Sequence, residues 1–331
     1  MDFIGYWQSV QAELDRGFAQ WMPELARDLS AAHQASIQQA VTGGKRLRGC
    51  LVCLTAEALG GRRAAAIPRA VAIECIQAAS LIHDDYVDGD TLRRQRPAIW
   101  TVEGARRAVL LGDLIFATAI WQMAELGRED GATLARAIAT VARGAYREAL
   151  GPAELAAAVA GRDFPPDLYK RIIHLKTGAL FAAAAKLGAL AAAAPPALAD
   201  QAFEFGARLG EAYQLADDLL DLFDAGSLPE DPRDRLALWA PALLCFLPEK
   251  RATLLRLLQS SGNGAQAWLD GRLPVLRARM MREVERQVQL AASALAGFPD
   301  NGWTRLLQAA PAQVVALLPQ PAPARPAISE R

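Results

Sequence analysis

Apolar residues recur at helical spacing along most of the chain, and short turn signals separate the resulting segments. Paired glycines near residue 60, paired prolines near residue 195 and a Gly-Asn-Gly sequence near residue 262 mark three of these separations. No stretch combines the alternating pattern and the turn residues of a β-hairpin. The pattern predicts helices at about residues 5–20, 31–41, 46–60, 64–88, 101–126, 130–150, 166–191, 198–223, 235–246, 249–259, 264–292 and 302–317.

The interior of the chain contains no long polar linker, so a single helical domain is predicted over residues 1–319. The last residues, 320–331, are rich in proline and are expected to form a disordered tail. Two acidic segments lie far apart in the sequence, and two helices must meet face to face if these segments act together. These features favour one large all-α bundle around a central cavity.

Each acidic segment has the sequence Asp-Asp-x-x-Asp and follows an apolar helical run. Asp84 and Asp88 lie about one helical turn apart on the same face, and so do Asp217 and Asp221. Like charges at this spacing destabilise a helix unless a cation lies between them. Magnesium prefers carboxylate oxygens and leaves positions open for phosphate and water, so the pattern favours a magnesium–phosphate site. The alternative is a pair of solvent-facing helix ends, but the residues one turn before each cluster are uncharged.

Basic residues occur where the anionic ligand of such a site would need them. The groups are Lys45, Arg46 and Arg48 after a flexible Gly-Gly, Arg93, Arg94 and Arg96 after the first acidic cluster, and Lys176 beside Thr177 in an otherwise apolar helix. Cations at a helix start oppose the helix dipole unless an anion binds there, so the first group favours a phosphate site. For Lys176 alone, a lysine that extends to solvent is the simpler explanation.

Composition limits the class of protein and its partners. The 36 acidic and 36 basic residues balance, so no general basic surface is available and nucleic acid is not an expected partner. The four cysteines lack the further thiols or histidines of a zinc site and are expected to be free thiols in a reducing cytosol.

No signal peptide is predicted, and the alanine-rich segment from Gly178 carries Lys186 at its centre. The protein is therefore expected to be cytoplasmic, without a transmembrane segment.

Five stretches together resemble one known family. In chain order they are GGKRLRG, LIHDDYVDGDTLRRQRP, LLGDLIFA, YKRIIHLKTGALF and GEAYQLADDLLD, over about residues 43–224. The combination resembles the trans-isoprenyl diphosphate synthases of the polyprenyl synthetase family. The resemblance implies an all-helical fold of the isoprenoid synthase type, and a homodimer. It also implies a prenyltransferase that joins isopentenyl diphosphate to a dimethylallyl, geranyl or farnesyl diphosphate, with magnesium ions (three per active site) that assist ionisation.

The resemblance also implies a role for individual side chains. Metal ligands are expected at Asp84, Asp88, Asp217 and Asp221, with Asp85 and Asp218 as supporting catalytic residues. The allylic diphosphate is expected to contact Arg93, Lys176 and Gln214, with Thr177 near the developing cation. Isopentenyl diphosphate is expected at Lys45, Arg48, Gln77 and Arg94. His83 directly precedes the first cluster and is expected to be structural.

The expected product is geranylgeranyl diphosphate, with a longer polyprenyl chain as the second choice. Ala79 and Ser80 lie just before the first cluster and are small, whereas a bulky aromatic residue commonly closes this level in family members that stop at farnesyl. Ile76 lies one turn deeper. The candidates for the floor of the cavity are Phe116, Ile120 and Trp121.

The chain departs from the family pattern in two places. Two lysines that usually follow the second cluster are missing, with Arg233 or Arg235 as candidate substitutes, and the segment before Tyr169 lacks the usual Gly-Glu…Gln pattern. Two alternatives therefore stay open, a class I terpene cyclase and a non-catalytic subunit of a heteromeric synthase. The second Asp-Asp-x-x-Asp cluster and the GGKRLRG segment argue against a cyclase. The presence of both acidic clusters argues against a non-catalytic subunit.

Replacing Ala79 by phenylalanine tests the expected product cavity. If residue 79 faces the growing chain, the aromatic ring fills the volume that later isoprene units need, so the product becomes shorter. Chromatography of the dephosphorylated products from the variant and from the unchanged protein measures the chain lengths. Identical products from both proteins would contradict the assignment of Ala79 to the cavity wall.

Overall fold

The computed structural model describes residues 2–148, 152–161, 165–222, 231–260 and 264–318. Within these ranges the chain is almost entirely helical, which confirms the all-α prediction. The expected tail at residues 320–331 lies outside the described residues.

The α-helices of the described residues are α1 Phe3–Leu25, α2 Ala31–Val41, α3 Leu47–Ala58, α4 Arg63–Val87, α5 Ile99–Glu103, α6 Ala105–Leu126, α7 Arg128–Glu148, α8 Pro152–Ala160, α9 Leu168–Ile173, α10 Ala179–Ala191, α11 Pro196–Asp221, α12 Pro232–Phe246, α13 Arg251–Gln259, α14 Ala265–Asp270, α15 Leu273–Ala294 and α16 Gly302–Ala316. A π-helical turn at His174–Gly178 joins α9 to α10, and a 3-10 turn at Pro248–Lys250 precedes α13. Two short strands follow α4 and pair antiparallel, β1 Leu92–Arg93 and β2 Arg96–Pro97.

The β1–β2 hairpin shows that the expected absence of hairpins is wrong. Its two central residues, Arg94 and Gln95, have φ angles of 52° and 61°. A tight two-residue hairpin turn requires positive φ, and sequences usually signal it with asparagine and glycine. Here arginine and glutamine adopt this conformation, so the residue types gave no turn signal.

Three predicted helices are interrupted in the structure. The helix predicted at 101–126 divides at Gly104, which has a φ of 81°. The helix predicted at 166–191 contains the π-helical turn, and the one predicted at 264–292 divides between α14 and α15. Each interruption lies within an apolar periodic segment, where the hydrophobic pattern alone predicts a continuous helix.

Two hydrophobic clusters form the core, and α11 contributes to both. The larger cluster contains Leu54 of α3, Phe181 of α10 and Phe205 of α11. The smaller one contains Leu243 of α12 and Leu215 of α11. Because its side chains enter both clusters, α11 fixes the second acidic cluster, at its own end, relative to the whole bundle.

Helices α10 and α11 approach closely at glycines of α11. A Cβ atom added to Gly206 would lie 2.3 Å from the carbonyl oxygen of Phe181, and one added to Gly210 would lie 2.8 Å from the Cα of Gly178. Both distances are shorter than van der Waals contact, so the side-chain hydrogen of glycine is what allows the backbones to meet. This contact sets the separation of α11 from the π-helical turn.

Among the described residues, α4 and α6 are long and apolar enough to cross a bilayer by length and composition. In α4, 67% of the relevant window is buried, as expected of a core helix, whereas in α6 the buried share is 33%. The exposed apolar side chains of α6 include Val109, Leu110 and Trp121. The alanine-rich segment from Gly178 is not one of these two helices, and the absence of a transmembrane segment stays a prediction.

Replacing Gly206 by alanine is expected to lower the free energy of unfolding by about 1–3 kcal/mol, because the added methyl group must displace backbone atoms of α10. Gly302 has no atom within 4 Å of an added Cβ, so its replacement by alanine is the matched control. Urea denaturation followed by circular dichroism measures both variants. A loss at Gly206 no larger than the loss at Gly302 would contradict the close contact.

Candidate active site

The first acidic cluster lies at the end of α4, where Asp88 forms the C-cap. Asp85 is 3% exposed and accepts two hydrogen bonds from Arg93, the one from Nε being 2.7 Å long. Burial lowers the pKa of the Arg93 guanidinium, but the hydrogen bond and the charge of Asp85 outweigh burial, and the net pKa is raised. The structure therefore brings Arg93 to the first cluster.

The hairpin after α4 turns the chain back so that Arg94 reaches the Gly-Gly loop. Arg94 donates from Nη1 to the carbonyl oxygen of Thr42 at 3.1 Å. Gly44 has a φ of 83°, which favours glycine, and a Cβ atom there would lie 2.6 Å from Nη2 of Arg94, so the guanidinium lies directly against this glycine. Burial and the charge of Arg46 lower the pKa of Arg94. The first acidic cluster and the segment GGKRLRG are thus adjacent in the fold.

A cavity of about 200 Å³ lies between these two segments. Its polar lining includes Thr42, Asp85, Arg93, Arg94 and Arg96, and its apolar lining comes mainly from α4 and the start of α5. Three guanidinium groups around one small space favour an anion with several oxygen atoms, because guanidinium presents a fork of donors to such groups.

Arg46 of the basic loop is held inside the protein. It is 6% exposed, its guanidinium donates to the carbonyl oxygen of Val41, and its terminal carbon lies 4.2 Å from the centre of the Phe18 ring. Its Nη1 also lies 3.9 Å from the carboxylate of Glu74. These contacts give Arg46 a structural role, and Arg46 is not among the residues expected to contact isopentenyl diphosphate, whereas its neighbours Lys45 and Arg48 are.

Lys45 and Arg48 instead face α10 and α11. The Lys45 ammonium lies 5.8 Å from the centre of the Tyr213 ring, and the Arg48 guanidinium carbon lies 4.4 Å from the centre of the Phe181 ring. Burial lowers the pKa of Arg48, and nearby acidic groups oppose this effect. Its Nε is buried without a hydrogen-bond partner in the described part of the chain, which suits an incoming oxygen anion.

Glu74 organises this basic segment but is not among the residues predicted from the sequence. It is 6% exposed on α4 and accepts a hydrogen bond of 2.8 Å from the backbone N–H of Gly49. Its charge acts on Arg48, and it lies within ion-pair distance of Arg46. A single glutamate in the apolar run AVAIECIQ is the sequence signal that could have identified it, because a buried carboxylate needs partners.

The second acidic cluster lies at the end of α11, where Asp217 and Asp218 are half-buried and Asp221 is exposed. Burial raises the pKa of Asp217, and the charge of Lys45 opposes this increase. Burial raises the pKa of Asp218 to about 7, although hydrogen bonds from Tyr169 and Gln214 act in the opposite direction. The charge of Lys45 therefore acts on Asp217, and the same basic loop lies against Arg94 of the hairpin that follows the first cluster.

The π-helical turn places Thr177 beside α11. Thr177 donates to Oε1 of Gln214 at 2.6 Å, and Gln214 donates from Nε2 to Oδ1 of Asp218 at 2.9 Å. Tyr169 of α9 donates to Oδ2 of the same carboxylate. π-helical turns are rare and frequently occur at functional sites. The sequence predicted Thr177 and Gln214 as site residues, but not the hydrogen bond between them.

A second contact holds the same turn against α11. His174 Nδ1 lies 2.7 Å from Oε1 of Glu211, and this hydrogen bond raises the pKa of His174. Lys176 lies in the same turn and is half-buried. The turn is thus attached to α11 at two points, one through Glu211 and one through Gln214.

The carboxylates fit magnesium by the chemistry of their donor atoms. Asp84, Asp88, Asp217 and Asp221 offer only oxygen ligands, which a small hard cation prefers. In the described part of the chain, no three His, Cys, Asp or Glu side chains converge closely enough to hold a metal ion. Oxygen atoms from a diphosphate would complete the ligand set of such a site.

The residues expected to control product length lie on α4 and α6. Ala79, Ser80 and Ile76 are buried, and Phe116 packs edge-on against His83 with ring centres 5.5 Å apart. Gln77, which is expected to contact isopentenyl diphosphate, is half-buried. The effect of these residues on chain length stays a prediction.

His83 has the structural position expected for it. Its Nε2 lies 3.0 Å from the carbonyl oxygen of Val109 on α6. A Cβ atom on Gly112 would lie 2.2 Å from the same nitrogen, so glycine makes room for the imidazole ring. His83 therefore joins α4 to α6 directly beside the first acidic cluster.

The cysteines are free thiols, as expected. Cys50, Cys53 and Cys75 are buried, and Cys245 is partly buried. Burial raises the pKa values of Cys53 and Cys75 to about 12, so both are protonated at neutral pH.

The segment after the second acidic cluster is described only in part. Residues 223–230 lie outside the described ranges, and so does the side chain of Arg233. Arg235 donates from Nη1 to Oε1 of Gln266 at 3.1 Å, so part of its donor capacity is used on α14. The substitution of either arginine for a missing lysine stays a prediction.

The arrangement of helices defines the class of fold. The crystal structure of a decaprenyl diphosphate synthase from Rhodobacter capsulatus has a TM-score of 0.74 and 26% identity, over 96% of this chain and 100% of that chain. The crystal structure of a polyprenyl synthase from Caulobacter crescentus, complexed with calcium and isoprenyl diphosphate, has a TM-score of 0.73 and 26% identity, over 95% and 96%. The protein therefore has the all-helical isoprenoid synthase fold.

Sequence comparison gives the family. The polyprenyl synthetase family model matches residues 30–229. The (2E,6E)-farnesyl diphosphate synthase of Mycobacterium tuberculosis is 35% identical over 189 residues, which cover 57% of this chain and about half, 52%, of that protein. The octaprenyl diphosphate synthase of Escherichia coli is 30% identical over 302 residues, which cover 86% of this chain and 90% of that protein. The chain belongs to the polyprenyl synthetase family.

Replacing Glu74 by glutamine is expected to lower the free energy of unfolding by about 3 kcal/mol, because it removes the buried carboxylate that compensates the charge of Arg46 and of Arg48. The control is Glu129→Gln, which removes an exposed ion pair with Arg136 and is expected to lower the free energy of unfolding by about 1 kcal/mol or less. Guanidinium chloride denaturation measures both variants. Equal losses would show that Glu74 does not compensate buried charge.

Proposed function

We propose that the protein is a prenyltransferase that condenses isopentenyl diphosphate with dimethylallyl, geranyl or farnesyl diphosphate. The observation that carries the proposal is the position of one basic loop between two carboxylate clusters. Arg94 of the hairpin contacts this loop at Gly44. The positive charge of Lys45, in the same loop, acts to lower the pKa of Asp217. Two anionic substrates and divalent cations are the ligands that such alternating charges suit.

Magnesium is the proposed cofactor, with three ions per active site. The residues that would hold it are Asp84, Asp88, Asp217 and Asp221. When bound, magnesium stabilises the negative charge that develops on a leaving diphosphate. Asp85 supports the first set of ligands by fixing Arg93 beside it.

Basic side chains bind the two diphosphates in this proposal. Arg93 and Lys176 hold the allylic diphosphate together with Gln214, and Lys45, Arg48, Gln77 and Arg94 hold isopentenyl diphosphate. Fixed cations stabilise the leaving group without a proton transfer. The buried, unpaired Nε of Arg48 and the cavity lined by Arg93 and Arg94 support these assignments.

The allylic cation left after ionisation must be kept from water, and the apolar side chains of α4 and α10 provide the enclosing walls. The double bond of isopentenyl diphosphate attacks this cation, and a proton is then lost to the departed diphosphate. A protein base is not required for that step. His83 is not needed as a base in this proposal, and its Nε2 lies 3.0 Å from the carbonyl oxygen of Val109.

Geranylgeranyl diphosphate is the proposed product, and a longer polyprenyl diphosphate is the second candidate. The small buried residues Ala79 and Ser80 support a product longer than fifteen carbons. The two relatives described above are synthases of different chain length, farnesyl in one and octaprenyl in the other. Family membership alone therefore does not select the length.

A homodimer in the cytoplasm is the proposed form of the protein. The apolar side chains that α6 exposes, including Val109, Leu110 and Trp121, support a surface that a second copy covers. Sedimentation of the purified protein would give the oligomeric state directly.

Purified protein with magnesium and labelled isopentenyl diphosphate is expected to elongate at least one of the three allylic primers. Asp84→Ala and Asp217→Ala are each expected to lower turnover by several orders of magnitude, because each removes a carboxylate needed for metal-borne charge stabilisation. Asp300→Ala is the control, because Asp300 is exposed and pairs with Arg305 away from both clusters. Product chromatography and turnover with each primer are the measurements.

Near-normal turnover in both active-site variants would refute the metal assignment. A complete lack of elongation with every primer would favour the non-catalytic subunit. Cyclic hydrocarbons formed without isopentenyl diphosphate would favour the terpene cyclase.

A further inference from the structure

A chain of hydrogen bonds connects three elements behind the second acidic cluster. Tyr169 of α9 donates to Oδ2 of Asp218, and Gln214 of α11 donates to Oδ1 of the same carboxylate at 2.9 Å. Thr177 of the π-helical turn donates to Oε1 of Gln214 at 2.6 Å. Tyr169 and Thr177 are both 7% exposed, so water does not compete strongly for these bonds.

The direction of every bond in this chain follows from the carboxylate at its centre. A carboxylate oxygen without a proton only accepts hydrogen bonds, and both oxygens of Asp218 accept here, Oδ2 from Tyr169 and Oδ1 from Gln214. The amide nitrogen of Gln214 then faces Asp218, and its oxygen faces Thr177. Thr177 must therefore donate its only hydroxyl proton to Gln214, and the lone pairs are the part of that hydroxyl left for another contact.

We propose that Tyr169 is a positioning residue that fixes Asp218, and through Gln214 the direction of the Thr177 hydroxyl. The inference rests on the proposed function, in which ionisation of an allylic diphosphate leaves a carbon cation near Thr177. Lone pairs directed at a cation stabilise it, whereas a hydroxyl proton directed at it has the opposite effect. In this arrangement both oxygens of Asp218 are occupied by protein donors, so Asp218 acts through its neighbours.

The ring of Tyr169 is held in place independently of its hydroxyl. It packs edge-on against Phe246 with ring centres 5.8 Å apart and belongs to the smaller hydrophobic cluster. Phenylalanine at position 169 would keep these apolar contacts and remove only the donor to Asp218. The substitution therefore separates the hydrogen bond from the packing.

Tyr169→Phe is expected to lower kcat about tenfold with the preferred primer, the loss that one misdirected hydrogen bond near the reacting cation produces. The KM for isopentenyl diphosphate is expected to change less than about twofold, because its proposed contacts lie on the basic loop. A rise of about tenfold in the KM for isopentenyl diphosphate, without a change in kcat, would overturn the inference.

Tyr6→Phe is the matched control. Tyr6 is also buried and donates to a carboxylate, Glu57, but this pair lies where α1 meets the end of α3. Both variants are expected to lose thermal stability, and only Tyr169→Phe is expected to lose kcat. The same loss of kcat in Tyr6→Phe would show that the effect is general destabilisation, and would overturn the inference.

A double-mutant cycle with Gln214→Leu tests the chain itself. Leucine at position 214 already disconnects Thr177 from Asp218, so adding Tyr169→Phe to that variant is expected to lower kcat no further. A further tenfold loss would show that Tyr169 acts by another route. If Tyr169→Phe does not fold, Gln214→Glu tests the same chain, because it replaces the donor facing Asp218 by an acceptor, and an unchanged kcat would overturn the inference.

Binding of a cation mimic gives a readout that does not depend on turnover. Geranyl dimethylammonium, with magnesium and inorganic pyrophosphate, imitates the ionised state, and geraniol under the same conditions is the neutral comparison. Calorimetry is expected to show weaker binding of the ammonium to Tyr169→Phe and equal binding of geraniol. If the unchanged protein neither elongates a primer nor binds the ammonium, the proposed function fails. If it does both and Tyr169→Phe matches it, only this inference fails.

Discussion

Charge compensation between segments that are distant in the sequence is the interaction on which this site depends. Carboxylates one helical turn apart repel each other, and burial strengthens the repulsion. Side chains from other segments counter it: Arg93 of the hairpin bonds to Asp85, and Lys45 of the basic loop opposes the raised pKa of Asp217. On α4, the buried carboxylate of Glu74 accepts a hydrogen bond from Gly49 and compensates the charge of Arg46. None of these contacts exists within one helix, so the electrostatics of the site form together with the tertiary fold.

The packing of α11 against α10 determines the length of the hydrogen bond between Thr177 and Gln214 in the same site. Gly206 and Gly210 allow α11 to contact the backbone of α10 and of the π-helical turn. About one turn beyond Gly210, Gln214 meets Thr177 at 2.6 Å, a distance that a wider separation of the helices would not permit. Steric contact at glycine and hydrogen bonding at the site are thus two results of one helix–helix approach.

The sequence predicts the parts of this arrangement that are periodic and local. Both acidic clusters, the helices that carry them and the basic loop follow from helical spacing and residue type. The hairpin was missed because Arg94 and Gln95 adopt positive φ without a glycine, and tertiary contacts of Arg94 favour that turn. The π-helical turn was missed because the backbone before and after it is helical, so the hydrophobic pattern continues through it. Glu74 was missed because its importance lies in partners from another helix.

Asp85 and Asp218 occupy the same position in the two acidic clusters, but the donors that bond to them differ in charge. Asp85 is bonded to a full guanidinium charge, whereas Asp218 receives bonds only from the neutral donors Tyr169 and Gln214. Its pKa accordingly rises to about 7, chiefly through burial. A divalent cation at the neighbouring carboxylates would oppose the rise in the pKa of Asp218. Asp218 would therefore gain a favourable charge interaction from bound metal in addition to its hydrogen bonds from two neutral donors, Tyr169 and Gln214.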